Sequence, residues 1–175
     1  MINQIKWWHY KAGEDDFFSK YIFQYLAFIG YIQRIKYMES TDRRAIQRLK
    51  RDSEIRDEYL KLIWNNERIL QSWISIQQEL DARPLWQLTS TNEVIENTYW
   101  NVSEENIREK TEENKWKASW VIHDLNDWEN MVEYWYSIRN TLFHWWKDIN
   151  SERDNLLVEH WYKTLRPLVE LLLDE

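Results

Sequence analysis

Cysteine is absent from the 175-residue chain, which excludes both a disulfide framework and a thiolate metal site. Long apolar runs are missing too, because "YIFQYLAFIGYI" is interrupted by Gln24 and is too short to cross a bilayer. The start of the chain lacks the apolar core of a signal peptide, and no set of His, Asp or Glu residues has metal-ligand spacing. We therefore expect a cytoplasmic protein that has no membrane contact and uses neither a metal nor a cofactor.

Glycine and proline are scarce, with 2 residues of each, whereas average usage would give roughly 12 glycines at this length. Tryptophan is in excess, with 13 residues. Hydrophobic residues make up 43% and charged residues 30% of the chain, which is typical of a globular protein and predicts one domain over residues 1–175. The formal net charge of −7 argues against a broad surface that coats nucleic acid, so any RNA contact is expected to be local.

Helical periodicity dominates the sequence, and no alternation typical of β-strands is sustained. Apolar residues recur every three or four positions over several long segments, which predicts an all-α bundle of about five helices. The predicted helical segments are residues 14–38, 53–80, 103–119 (weak), 124–144 and 151–173, and the short basic segment 40–52 is expected to be a small helix or a connector.

Several residues are predicted to bound these segments. Ser53, Ser103 and Ser151 have the residue type and position of helix N-caps. Pro167 is expected to kink or break the last helix near its end. Residues 81–103 contain a proline and a cluster of turn-forming residues, so we expect a long loop there.

The stretch "SIRNTLFHWWKD" contains Arg139, Asn140 and His144, which are polar groups that could act together on a phosphate. In a continuous helix Asn140 and His144 share a face, whereas Arg139 and His144 lie roughly 140° and 7–8 Å apart. A cooperating set therefore requires the helix to end just after His144. Trp145 and Trp146 occupy the positions where glycine usually ends a helix, and neither is a helix-ending residue.

Together with its flanks "DWENMVEYWY" and "SERDNLLVEHWYKTLRPLVELLL", this stretch resembles the HEPN superfamily, in particular its Apea-like and toxin-type ribonuclease domains. Arg139, Asn140 and His144 match the family motif R-N-x-x-x-H, and "SERD" matches a following "ERD". The resemblance is best over residues 124–175 and looser over residues 14–40. It implies an α-helical HEPN-like domain that dimerises.

The resemblance also implies a metal-independent endoribonuclease of toxin–antitoxin or phage-defence systems, with RNA as substrate and a nucleotidyltransferase-like antitoxin as partner. In this role His144 would act as acid or base, Arg139 would stabilise the phosphate, and Asn140 would orient the imidazole or the phosphate. Because one histidine does not easily supply both base and acid, a two-fold homodimer would bring both copies into one cleft. Lys147 and Arg153, together with Lys163 and Arg166, are expected to add local positive charge, which neighbouring carboxylates nearly cancel.

Three other hypotheses remain open from the sequence. The chain could be a non-catalytic HEPN-like module that dimerises or binds a partner protein or nucleotide. It could be an acidic helical scaffold in which the motif is a coincidence. As a third alternative, Arg139 and His144 could be only a structural pair at a helix end, near its last carbonyls.

The tryptophan excess and the glycine shortage have two explanations. In the first, all thirteen indoles are genuine and pack the domain or its dimer interface. In the second, the genome reads UGA as glycine while the sequence was translated with UGA as tryptophan, so that Trp86, Trp145, Trp146 and Trp161 are glycines. UGG codons at 145, 146 and 161 would exclude the second explanation. Two glycines beside His144 would let an RNA backbone approach closely, whereas two indoles would crowd the cleft.

Overall fold

A computed structural model describes residues 1–13, 17–82, 107–108, 117–118, 121–144 and 152–174, and describes only the backbone of residues 17, 18, 107, 108, 117, 118 and 140–144. The helices are α1 Ile2–Lys11, α2 Phe17–Tyr31, α3 Asp42–Arg51, α4 Ser53–Asn65, α5 Glu67–Ala82, α6 Trp128–His144 and α7 Glu152–Asp174. A π-helical segment, Ile32–Lys36, follows α2 directly. Two two-residue strands, β1 Ile107–Arg108 and β2 Lys117–Ala118, pair antiparallel.

The all-α prediction is confirmed, but the described residues contain seven α-helices where about five were expected. One of these, α1, was not predicted. The single apolar stripe predicted over residues 53–80 belongs to two helices, α4 and α5, because Asn66 is extended and its Oδ1 accepts hydrogen bonds from the N–H groups of Arg68 and Ile69. In the weak helix predicted for residues 103–119, the four described residues are instead the paired strands β1 and β2.

The predicted helix boundaries were partly wrong. The N-cap of α4 is Asp52, whose Oδ1 accepts a hydrogen bond from Ile55 N at 3.1 Å, so Ser53 is the first helical residue. Pro167 does not break α7, which continues to Asp174 with Leu168 and Leu172 buried in the core. The predicted caps Ser103 and Ser151, and the loop from residue 83 onward, lie outside the described residues.

Helix α6 runs through the middle of the bundle. From Trp128 to Ile138 nearly every side chain is buried, which is the pattern of a helix surrounded by others. Trp135 alone contacts rings from three helices: Phe28 of α2, Tyr59 of α4 and Trp73 of α5. Because α6 carries the predicted motif at its C-terminal end, the core fixes the position of that motif.

Among the described residues four tryptophans are fully buried, and each has a hydrogen-bond acceptor for its indole N–H. Trp73 donates to Tyr59 Oη, Trp128 to Leu49 O, Trp135 to Thr164 Oγ1 and Trp161 to Trp135 O, at 2.9–3.1 Å. The ring of Trp161 also packs 4.3 Å from that of Tyr21. At these four positions the core encloses the indole ring and provides an acceptor for its N–H, which favours the packing explanation there. Trp86, Trp145 and Trp146 lie outside the described residues.

None of the helices in the described part of the chain is both long and apolar enough to cross a membrane.

Candidate functional site

A polar stripe runs along α6 toward the motif. Asn130, Glu133 and Ser137 are all buried, and their spacing of three and four residues places them on one face of the helix. Continuing the same spacing by three and then four residues leads to Asn140 and His144. The two motif residues therefore extend a polar face that α6 keeps throughout the core.

Glu133, the charged member of this stripe, is held by two cations from α3. Its carboxylate accepts two hydrogen bonds from the Arg43 guanidinium at 2.8 Å and lies 3.0 Å from Lys50 Nζ. The side chains of Glu133 and Lys50 are 0% and 3% exposed, so the charges are compensated almost without water. This compensation makes burial of the carboxylate tolerable and fixes α3 against α6.

The start of α6 is fixed by a hydrogen-bonded cluster of His123, Asp127 and Asn130, none of which was predicted to belong to a site. Asp127 Oδ2 lies 2.6 Å from His123 Nδ1 and accepts hydrogen bonds from His123 N and Asn130 Nδ2. Gln77 of α5 donates to the His123 carbonyl at 2.8 Å. The spacing of four residues between His123 and Asp127 was the available signal. The cluster anchors the N-terminal end of the helix that bears the motif at its other end.

Arg139 is half-buried where α6 leaves the core. Its guanidinium carbon lies 5.6 Å from the centre of the Tyr25 ring in α2, a cation–π contact. Burial raises the pKa of Tyr25 and of the neighbouring Tyr21 above their ordinary value, and the positive charge of Arg139 opposes both shifts. The two tyrosine hydroxyls are buried with no hydrogen-bond partner among the described residues. Tyr21 and Tyr25 of α2 therefore provide two hydroxyl donors that make no hydrogen bond within the described part of the chain.

For Asn140 and His144 the structure describes only the backbone, which belongs to α6 and is helical through His144. This geometry keeps Asn140 and His144 on one face and separates Arg139 from His144 by about 140° around the helix and about 7.5 Å along it. The expectation that the helix ends just after His144 concerns residues 145–150, which, with Lys147, lie outside the described residues.

The cations of α7 are paired with carboxylates. Arg153, which was predicted to contact RNA, links α7 to α5, because its Nε lies 2.5 Å from Glu79 Oε1. Lys163 pairs with Glu159 at 2.6 Å, and Arg166 pairs with Glu170 at 2.9 Å. The positive charges of Arg153, Lys163 and Arg166 are thus each compensated by a specific ion pair.

The remaining histidines lie away from any cluster of metal-ligand type, and the described residues contain no group of three or more His, Asp or Glu that could hold a metal ion. His160 in α7 is half-buried, and burial lowers its pKa, as does the nearby charge of Lys163. His9 of α1 lies 3.7 Å from Glu170, and burial also lowers its pKa.

Comparison of the chain with protein-family models, with curated proteins and with solved structures returns no match.

Proposed function

We propose that the chain is a metal-independent endoribonuclease of the HEPN type that acts as a homodimer in the cytoplasm. The observation that supports this most is the placement of Arg139 and the motif helix. A guanidinium is held over Tyr25 at the edge of the core, and the same helix continues to Asn140 and His144 along its polar face. An arginine, an amide and an imidazole at the exit of one rigid helix are suited to act on a phosphodiester.

The chemistry needs no group beyond the RNA and these side chains. The 2′-OH attacks the adjacent phosphorus and loses its proton to a base, while the 5′-oxygen leaves and takes a proton from an acid. The products end in a 2′,3′-cyclic phosphate and a 5′-OH. Imidazole titrates near neutral pH and can serve as either the base or the acid. Arg139 would stabilise the charge that develops on the phosphate oxygens.

The separation of about 140° between Arg139 and His144 favours a site shared by two chains. In a two-fold dimer the His144 residues of both copies would supply the base and the acid, and each Arg139 would reach a phosphate held between the copies. In the cell, such an enzyme would fit toxin–antitoxin or phage-defence systems, with a nucleotidyltransferase-like antitoxin as partner.

Replacing Arg139 by lysine is expected to slow RNA cleavage by on the order of 100-fold, because lysine keeps the charge but loses the planar fork of donors. The measurement is the single-turnover rate on an end-labelled RNA in the presence of EDTA. Arg68→Lys is the matched control, since Arg68 is exposed on α5, and its rate should equal that of the parent. Equal rates for Arg139→Lys and the parent would remove Arg139 from the site.

The second candidate is a non-catalytic HEPN-like module that dimerises or binds a partner protein or a nucleotide. The contact between Arg139 and Tyr25 favours it, because a guanidinium engaged with a ring inside the protein also has a purely structural use. This candidate predicts stable complexes and no cleavage of any RNA by the parent chain.

A further inference from the structure

Positive charge is concentrated in one part of the chain. Residues 34–51 carry seven basic and two acidic side chains, a net charge of +5, although the whole chain has a formal net charge of −7. The basic residues are Arg34, Lys36, Arg43, Arg44, Arg48, Lys50 and Arg51. These residues belong to the π-helical segment and to α3, outside the region where RNA ligands were expected from the sequence.

The five cations of α3 divide into two groups by their surroundings. Arg43 and Lys50 point inward and bind Glu133. Arg44, Arg48 and Arg51 are exposed, and their spacing of four and three residues forms one outward face of α3, about 10 Å long. We call these three residues the basic face.

The basic face is presented by a firmly held helix. Thr41 caps the N-terminus of α3 by accepting a hydrogen bond from Arg44 N at 3.3 Å, and Ala45, Ile46 and Leu49 are fully buried on the opposite side. Two neighbouring side chains contact the basic face: Arg44 donates to Ser40 Oγ at 3.2 Å, and Arg48 lies 3.2 Å from Glu39. Arg48 is nevertheless 66% exposed, so its charge remains accessible to a ligand in solution.

The packing of α3 places its N-terminal end, where Arg44 lies, nearest the end of α6 that carries the motif. Leu49 O accepts the indole N–H of Trp128 at the start of α6, whereas the Arg43 guanidinium lies 4.1 Å from the centre of the Tyr136 ring, two turns further along α6. The two helices therefore run antiparallel, and the N-terminal end of α3 points toward the end of α6 that carries the motif. Tyr136 lies three residues before Arg139 on α6, so the contact of Arg43 with its ring places the N-terminal end of α3 close to Arg139.

We propose that the basic face binds the phosphate backbone of single-stranded RNA that extends from the candidate site along α3. The choice of RNA as the partner depends on the proposed function. A regular row of exposed arginines on a rigid helix suits a polyanion whose charges repeat along a chain, and such contacts set affinity and not sequence preference. The two arginines of α7 that are paired with carboxylates, Arg153 and Arg166, are only 20% and 33% exposed, so α7 does not present an equivalent row of exposed arginines.

Replacing Arg44, Arg48 and Arg51 together by glutamine tests the proposal. Binding of a fluorescently labelled single-stranded RNA is followed by anisotropy over a range of salt concentrations, with His144→Ala in every chain to prevent cleavage. We expect the affinity to fall by on the order of 10- to 100-fold near 0.1 M salt. The slope of log K against log salt should become shallower by about 2, since each lost single-strand contact removes about 0.7.

Two further triple variants serve as controls. Arg56→Gln, Lys61→Gln and Arg68→Gln remove the same charge from exposed positions on α4 and α5, and this chain should bind RNA like the parent. Arg44→Lys, Arg48→Lys and Arg51→Lys keep the charge of the basic face and should retain the parent salt slope. Circular dichroism of each chain checks the helical fold.

Unchanged binding by the α3 glutamine triple, an equal loss in the α4 and α5 control, or no RNA binding by the parent would each overturn the proposal. The cleavage assay separates this outcome from failure of the proposed function. Cleavage that continues at the parent rate in the α3 triple, with His144 present, overturns only the basic face. If RNA binding depends on the basic face but the parent chain, with His144 present, cuts no RNA, only the proposed nuclease function is overturned.

Discussion

Replacing His144 by alanine is expected to slow RNA cleavage by about 10²–10⁴-fold, the usual contribution of a positioned acid or base. The loss should appear in the single-turnover rate at saturating RNA, because alanine removes proton transfer and keeps the phosphate contacts of Arg139. In a symmetric dimer the substitution is present in both copies and therefore removes both the base and the acid. The effect is expected at the upper end of this range.

The matched control for this prediction is His160→Ala. His160 is half-buried on α7, and its lowered pKa follows from burial and from Lys163, with no link to the motif helix beyond packing. The rate of this variant should stay within about twofold of the parent. A chain that cuts RNA at the parent rate with alanine at 144 would contradict the assignment of the site.

The largest expected loss of stability comes from replacing Trp161 by glycine. Trp161 is 0% exposed, packs against Tyr21, and donates its indole N–H to Trp135 O. Removing a buried tryptophan costs about 3–5 kcal/mol, and glycine inside a helix adds about 1 kcal/mol relative to alanine. We expect the free energy of unfolding, measured by urea denaturation, to fall by about 4–6 kcal/mol.

Trp64→Gly is the control, because the Trp64 side chain on α4 is 55% exposed and leaves no cavity when removed. Its expected cost is about 1 kcal/mol, the helix penalty of glycine alone. A Trp161→Gly chain as stable as the parent would contradict the packing explanation at this position. That result would favour glycine as the natural residue, as UGA recoding predicts.

The helical class of this protein could be predicted from its sequence because apolar residues recur at helical spacing in nearly every segment. Helix boundaries were harder to predict, since they depend on single side chains. The carboxylate of Asp52 caps α4 one residue before the serine that was expected to do so. Asn66 divides a stripe whose apolar spacing alone predicts one helix.

The candidate site was predicted as three residues on one helix, and the sequence offered no means of placing other helices beside them. The contact of Arg139 with Tyr25 joins positions 114 residues apart, so helical periodicity carries no information about it. The basic run of α3 was visible in the sequence as a short charged helix. Its position beside α6 follows from long-range contacts that the sequence does not indicate, such as those of Arg43 and Lys50 with Glu133.

Dependence of cleavage on the 2′-OH is the most direct test of the proposed function. The purified chain, and the same chain with Trp145→Gly and Trp146→Gly, are incubated in EDTA with an RNA oligonucleotide and with its fully 2′-O-methylated counterpart. The proposal predicts that only the unmodified RNA is cut and that the new ends are a 2′,3′-cyclic phosphate and a 5′-OH. Failure of both chains to cut any RNA, or equal cleavage of the methylated strand, would contradict it.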